Sequence, residues 1–235
     1  MNIVDIVILV FLGVSIVYGL YRGFIHTILS LGCCLLSVLI AFSVSPKLSA
    51  AISSNQGITS TLATYTDAVS RVGDYDLASS SVQQLPDHML QQLLGNVALP
   101  EPIDEILKNN LDHQVFSGAG LNTVNDYVSN TIVGVVISIL SFIICFIVSY
   151  LVLSLLINLI HHIFRLPLLK QLDWLAGGIF GLVRGAMTLY VIFLLIPVLS
   201  TIIPLDSFNA LLSESTLAPI FQSDGFFASA IAGKL

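Results

Sequence analysis

Four long apolar runs constrain the fold of this chain more than any other feature. They cover residues 3–20, 24–44, 132–160 and 175–203, and each matches or exceeds the roughly 17 to 25 residues needed to cross a bilayer. Hydrophobic residues make up 56% of the chain and charged residues only 9%, against about 25% charged residues in soluble domains. We therefore predict an all-α, polytopic membrane protein with about four transmembrane helices arranged as two hairpins.

Polarity divides the chain into four regions. Residues 1–44 form a first transmembrane hairpin, and residues 45–129 form an acidic polar loop that carries the whole net charge of −6. Residues 130–203 form a second hairpin, which includes a glycine-rich segment around Arg184. Residues 204–235 form an amphipathic tail that we expect at the membrane interface.

Two stretches of the polar loop have apolar residues at helical spacing. PDHMLQQLLGNV, residues 86–97, and PEPIDEILKNNL, residues 100–111, each predict a short amphipathic helix. Such helices would pack on each other or lie on the bilayer surface. A mobile linker with nascent helices is the alternative interpretation.

Charge and cysteine content argue against several function classes. The eight Lys and Arg residues are spread along the chain, so no basic patch for nucleic acid is expected. Cys33, Cys34 and Cys145 lie inside apolar runs, where a thiol behaves as a small hydrophobe. His161 and His162 are adjacent and lack the spacing of a metal-binding helix. We expect no metal, no cofactor and no enzymatic activity.

Short-loop basic residues predict the orientation in the membrane. Arg22 lies in the first short loop, and Arg165 and Lys170 lie in the third, so both loops are expected in the cytoplasm. The two termini and the 45–129 loop would then lie outside.

The string GLxRG occurs twice, at residues 19–23 and 181–185. In both copies small residues recur every fourth position, which places them on one helix face and lets two helix backbones approach closely. These small residues are Ser15, Gly19, Gly23, Gly177, Gly181 and Gly185.

Arg22 and Arg184 each precede the last small residue of their copy. If the copies are equivalent, each half contains a helix, an Arg-Gly junction and a second helix, giving a parallel repeat; chance recurrence is the alternative. The repeat predicts a break that leaves residues 186–203 as the last span and keeps Arg184 near the cytoplasmic interface. A continuous helix from Leu175 would instead place Arg184 deep in the bilayer. Inserting an arginine there costs about 2.5 to 3.5 kcal/mol of free energy, so we expect the shallow position.

Two acidic residues stand near the starts of spans. Asp5 lies in the first turn of the first span, where its charge is favourable with the helix dipole. Pairing with a basic group or carrying protons is the alternative. Asp173 precedes the glycine-rich segment, and we predict that it caps the N-terminus of its own helix.

The chain resembles the CvpA family of bacterial inner-membrane proteins, named for colicin V production. The resemblance rests on VDIVILV at residues 4–10, on RGF at 22–24, and above all on D-x3-G-x3-G-x2-RG in the second half. That last motif consists of Asp173, Gly177, Gly181, Arg184 and Gly185. Residues 25–27, Ile-His-Thr, replace a charged pair that is frequent in the family, and the 45–129 loop is longer than in compact members.

The resemblance implies a multi-span protein of the bacterial inner membrane that assists toxin production or export, or envelope homeostasis, without enzymatic activity. A small membrane transporter or channel is the alternative. Expected partners are the lipid bilayer and a membrane or secretion-machinery protein, and the sequence is also compatible with a homo-oligomer.

Overall fold

A computed structural model describes residues 2–66, 72, 75–84, 86–97, 99, 103–161, 170–196 and 206–222 of the 235-residue chain. Within these residues the chain forms helices and no strand, which confirms the predicted all-α fold. The helices are α1 (Ile3–Arg22), α2 (Phe24–Ser53), α3 (Gln56–Thr66), α4 (Tyr75–Ser79), α5 (Asp87–Val97), α6 (Ile103–Asp112), α7 (Val124–His161), α8 (Lys170–Phe193), α9 (Asp206–Ser213) and α10 (Ala218–Phe221).

Among the described residues, four helices are long and apolar enough to cross a membrane, as predicted. The candidate spans are Ile3–Arg22, Phe24–Ser53, Val124–Leu159 and Asp173–Phe193. Along one side of α1, large apolar side chains are 60% to 64% exposed, namely Val7, Val10, Val14 and Val17. A bilayer would cover such a surface, whereas water would not favour it.

The two longest helices extend into the region predicted as a polar loop. α2 continues through Pro46 to Ser53, and α7 begins at Val124, ahead of its apolar run. Ser49, on the extension of α2, and Ser138, in the apolar run of α7, have their hydroxyl oxygens 3.2 Å apart at hydrogen-bond distance. Hydropathy marks where a helix could enter lipid, but helical hydrogen bonding continues into polar sequence.

The chain forms two compact units. The first comprises Met1–Ser45, Phe142–Leu194 and Asp206–Ser223. Its interior includes the fully buried Cys34, and the rings of Phe42 and Phe142 meet edge to face with centroids 5.0 Å apart.

The second unit comprises Pro46–Ser141, Leu195–Leu205 and Asp224–Leu235. Both predicted amphipathic helices are present within it, as α5 and α6. Part of each apolar stripe is buried, including Leu93 of α5 and Leu107 of α6, each 0% exposed, whereas Met89 of α5 is 40% exposed. The buried part of each stripe is covered by protein, which favours packed helices over a mobile linker.

An acidic side chain of α6 is partly enclosed in the second unit. Burial raises the pKa of Asp104 above its usual 3.8, and the nearby charge of Lys108 opposes this. One of the Asp104 carboxylate oxygens is buried without a hydrogen-bond partner. The ionised form of this residue is thus less favourable in the folded protein.

The predicted break at the second GLxRG copy is wrong. α8 is one continuous helix from Lys170 to Phe193, and Gly177, Gly181, Arg184 and Gly185 all lie inside it. Only the first copy is a junction, since Gly23 ends α1 with φ of 82°. The two copies are therefore not structurally equivalent. The last candidate span is Asp173–Phe193, whereas the repeat predicted residues 186–203.

The described part of the tail predicted as interfacial contains two short helices, α9 and α10. The ring of Phe221 in α10 contacts that of Phe193 at the end of α8, with centroids 5.6 Å apart. Residues 223–235 and the loop residue Arg165, which contributed to the predicted orientation, lie outside the described residues. The orientation stays a prediction.

Candidate functional site

The two small-residue faces predicted from sequence pack directly against each other, joining α1 to α8. A Cβ atom added at Gly19 would overlap the carbonyl oxygen of Gly177, and one added at Gly177 would overlap the carbonyl oxygen of Gly19. One added at Gly181 would lie 2.6 Å from the Ser15 carbonyl oxygen. The backbones are in contact at these positions, and only glycine leaves room for that approach.

Ser15 connects the two helices by a hydrogen bond as well as by its small size. Its hydroxyl donates to the carbonyl oxygen of Gly181 across 2.7 Å, and Ser15 is only 6% exposed. A Cβ atom at Gly185 would lie 2.8 Å from the Ser15 Cβ atom, so the packed face continues one turn further. All six small residues named from the sequence therefore belong to one contact region or its junction.

The junction between α1 and α2 is held by Asp173. Gly23 has a positive φ that L side chains rarely adopt, and a Cβ atom there would overlap the Asp173 carboxylate. The first amide of α2, at Phe24, donates to Asp173 Oδ1 across 2.9 Å. Asp173 lies in the first turn of α8 and caps α2, so the prediction that it caps its own helix is corrected.

Arg184 lies partly buried on α8, facing side chains of α1 and α2. Its guanidinium carbon is 4.8 Å from the ring centroid of Tyr18. Its Nη1 donates to Ser30 Oγ across 3.3 Å, and its Nη2 donates to Ser15 Oγ across 3.4 Å. A cation over an aromatic face gains about 0.5 to 2 kcal/mol, depending on how far it is desolvated. These contacts would offset part of the about 2.5 to 3.5 kcal/mol that an arginine costs at mid-bilayer, and the shallow position of Arg184 stays a prediction.

Arg22, the arginine of the first copy, also approaches Tyr18. Its guanidinium carbon is 5.4 Å from the same ring centroid, but its side chain is exposed at the end of α1. The two arginines therefore share a ring while differing in environment. Tyr18 and Ser30 were not predicted as site residues, because they lie far from Arg184 in sequence and match no motif.

A cavity of about 370 Å³ lies beside Arg184 within the first unit. Its lining is rich in hydroxyl, amide and imidazole groups for a region made of apolar helices. The polar lining residues are Ser15, Tyr18, His26, Ser30, Tyr150, Ser154, Asn158, Arg184 and Thr188.

Asp5 forms a second polar centre at the start of α1. It completes a capping box with Asn2 at the start of α1. Its Oδ1 also accepts hydrogen bonds from the Ser215 hydroxyl at 2.6 Å and from the amides of Thr216 and Leu217 at 3.0 Å each. Asp5 is 1% exposed, so this carboxylate anchors the tail to α1. The tail contact spans more than 200 residues and has no sequence signal.

The remaining reactive groups are dispersed. Among the described residues there is no cluster of three or more His, Cys, Asp or Glu side chains able to hold a metal ion. Cys33, Cys34 and Cys145 are buried free thiols. The site is therefore a helix-packing contact with one enclosed cation and an adjoining polar cavity.

A family model described as Colicin V production protein matches residues 4–72 and 116–225 of the chain. The matched residues include the complete contact between α1 and α8, together with Asp5, Arg184 and the described tail. Residues 73–115, which contain α4, α5 and α6, lie between the two matched segments. No curated protein and no solved structure matches the chain.

Proposed function

Because the chain belongs to the Colicin V production protein family, we propose that it is a non-enzymatic component of the bacterial inner membrane. In this role it assists the production or export of a peptide toxin, or maintains the cell envelope. Its partners would be a protein of the membrane or of the secretion machinery, and the bilayer itself.

The proposal is supported by the structural role of the motif residues, which pack and cap helices. Gly19, Gly177 and Gly181 bring two backbones into contact, and Asp173 caps a neighbouring helix. These groups are occupied by the protein itself and hold helices in place. Such a use fits a scaffold that presents a surface to partners better than it fits a catalyst.

The predicted orientation extends the proposal. The exposed Arg22 at the end of α1 favours a cytoplasmic position for this junction, with the termini and the loop after the first hairpin outside. A protease cleavage site introduced beside Asp76, an exposed residue of α4, tests this arrangement. We expect cleavage when the outer face of the inner membrane is accessible, and protection there would contradict the orientation.

Deletion and complementation test the function. In a bacterial host that secretes a peptide toxin, the chromosomal gene is deleted, and toxin release per cell and detergent sensitivity are measured. We expect at least one readout to change and the native chain to restore it. Gly181→Leu should fail to restore it, whereas Gly13→Leu, at a position with no neighbour within 4 Å of its Cβ, should succeed. Unchanged release and sensitivity after deletion would contradict the proposal.

Crosslinking in the native membrane followed by purification tests the partner. We expect one or more membrane or secretion proteins to be recovered with the native chain and lost with Gly181→Leu. Recovery of the same proteins with both would indicate that they do not recognise the folded protein.

A small transporter or channel is the second candidate, and the polar cavity beside Arg184 favours it. Transporter sites are formed by polar groups near the middle of the membrane. A flux assay in proteoliposomes separates the candidates. Movement of a solute or of protons that Arg184→Gln abolishes would favour transport, and no movement would favour the scaffold.

A further inference from the structure

The guanidinium of Arg184 is partly buried among helices, and no carboxylate of the described residues balances its charge. Within the part of the chain that the structure describes, no Asp or Glu oxygen forms a salt bridge with it. Its neighbours are the neutral side chains of Ser15, Ser30 and Tyr18. An ionised side chain inside a membrane protein ordinarily faces a partner charge or a functional cavity.

The hydrogen bonds to Arg184 are also incomplete. A guanidinium has five N–H donors in a fixed planar fork. The contacts to Ser30 and Ser15 are 3.3 and 3.4 Å long, whereas charge-assisted hydrogen bonds are about 2.7 to 2.9 Å. Donor capacity therefore remains beside the cavity of about 370 Å³ that Arg184 lines.

The cavity has the size and composition of a small-ligand site. Its volume falls within the roughly 300 to 1,000 Å³ of typical ligand pockets. Asn158, Ser154 and Thr188 add polar groups to its lining, and Arg184 is the only Lys or Arg among the described residues that line it. The guanidinium fork matches the paired oxygens of a carboxylate or a phosphate.

We propose that this cavity binds a singly charged oxyanion, held by the Arg184 fork with the Tyr18 ring beneath the cation. One enclosed positive charge is balanced by one negative charge, which sets the charge of the ligand. The shared chemistry is that of a carboxylate or a phosphodiester, supplied either by a small ion from solution or by the headgroup of an anionic lipid. This site goes beyond the proposed scaffold role and does not depend on it.

The experiment uses the full chain, purified in a neutral maltoside detergent, and two probes. In the first arm, sodium acetate replaces sodium chloride in steps at constant ionic strength, and the thermal unfolding midpoint of the protein is measured at each step. In the second arm, phosphatidylglycerol is added, and the lipid molecules retained per protein are counted by native mass spectrometry. We expect saturable binding of at least one probe to the native chain.

Variants at two arginines identify the site. Arg184→Gln should weaken the binding by about thirtyfold or more, because truncating one partner of a buried charge pair costs at least about 2 kcal/mol. Arg184→Lys keeps the charge and loses the fork, so it should bind more weakly than the native chain and more tightly than Arg184→Gln. Arg22→Gln removes the same charge beside the same ring, outside the cavity lining, and should bind like the native chain.

The dependence of each probe's binding on Arg184 identifies the ligand. Arg184-dependent binding of acetate assigns the site to a soluble ion, and Arg184-dependent retention of phosphatidylglycerol alone assigns it to a lipid. If Arg184→Gln does not fold, the comparison of Arg184→Lys with Arg22→Gln decides. Absence of saturable binding, or equal binding by the native chain and both Arg184 variants, would overturn the proposal.

Discussion

Substituting alanine for Gly181 should force α1 and α8 apart. The new Cβ atom would lie 2.6 Å from the Ser15 carbonyl oxygen and 3.2 Å from the Gly19 Cα atom, whereas ordinary contact begins at 3.4 Å. Both obstacles are backbone atoms, so no side-chain rotation relieves them. The helices must separate by about 0.8 Å, the difference between 3.4 and 2.6 Å.

The energetic consequence has two parts. Overpacking of a tight contact costs about 1 to 3 kcal/mol. The same separation would lengthen the hydrogen bond from the Ser15 hydroxyl to Gly181 from 2.7 Å to about 3.5 Å, and such bonds contribute about 0.6 kcal/mol in membrane proteins. Alanine also favours a helix over glycine by about 1 kcal/mol, which opposes both losses.

Gly13→Ala is the matched control, because its Cβ would meet nothing within 4 Å. It shares the gain in helix propensity, so the difference between the two variants isolates the packing loss. We expect Gly181→Ala to unfold with a free energy about 1.6 to 3.6 kcal/mol below that of Gly13→Ala, the sum of the overpacking and hydrogen-bond losses.

Unfolding can be followed in mixed micelles with increasing sodium dodecyl sulfate. The only tryptophan of the chain, Trp174, lies on α8 and reports its detachment by fluorescence. Equal unfolding free energies for the two variants would refute the contact between the backbones.

Three further predictions concern the acidic residues. Asp173→Ala removes the acceptor of the Phe24 amide and should lower the free energy of unfolding by about 0.5 to 2 kcal/mol. An unchanged free energy of unfolding would contradict this cap. Asp5→Ala should release the tail, raising hydrogen exchange at the Leu217 amide while leaving the middle of α2 protected; an unchanged rate at that amide would contradict the anchor. Asp104→Asn should raise the thermal midpoint at neutral pH, because burial raises the pKa of Asp104 and its ionised form destabilises the folded state above that pKa. The effect should vanish below pH 3.8, and a pH-independent difference would contradict it.

The spans and the small-residue faces were predictable from local sequence. Hydropathy requires only a run of apolar residues, and the four-residue spacing of Gly177, Gly181 and Gly185 marks one face of a helix. Neither pattern identifies the partner. The contact of this face with Ser15 and Gly19 depends on the whole arrangement of helices, and the sequence suggested a repeat instead.

The position of Arg184 shows why charge alone misled the prediction. The cost of an isolated arginine in lipid favoured a break in the helix, but its hydrogen-bond partners come from α2 and α1, 154 and 169 residues away in sequence. Asp173 was predicted to cap its own helix, but it lies inside the first turn of α8 and caps α2. Local rules identified these residues as important, and tertiary contacts decided what they do.

Crosslinking between α1 and α8 in the native membrane tests their packing most directly. Gly178 faces Leu20, since a Cβ atom there would lie 2.6 Å from the Leu20 Cδ2 atom. With Cys33, Cys34 and Cys145 replaced by alanine, the pair Leu20→Cys and Gly178→Cys should form a rapid crosslink. The pair Val17→Cys and Gly178→Cys should not, because Val17 is 64% exposed on α1. Equal crosslinking of both pairs, or none from the first, would contradict the contact on which the site depends.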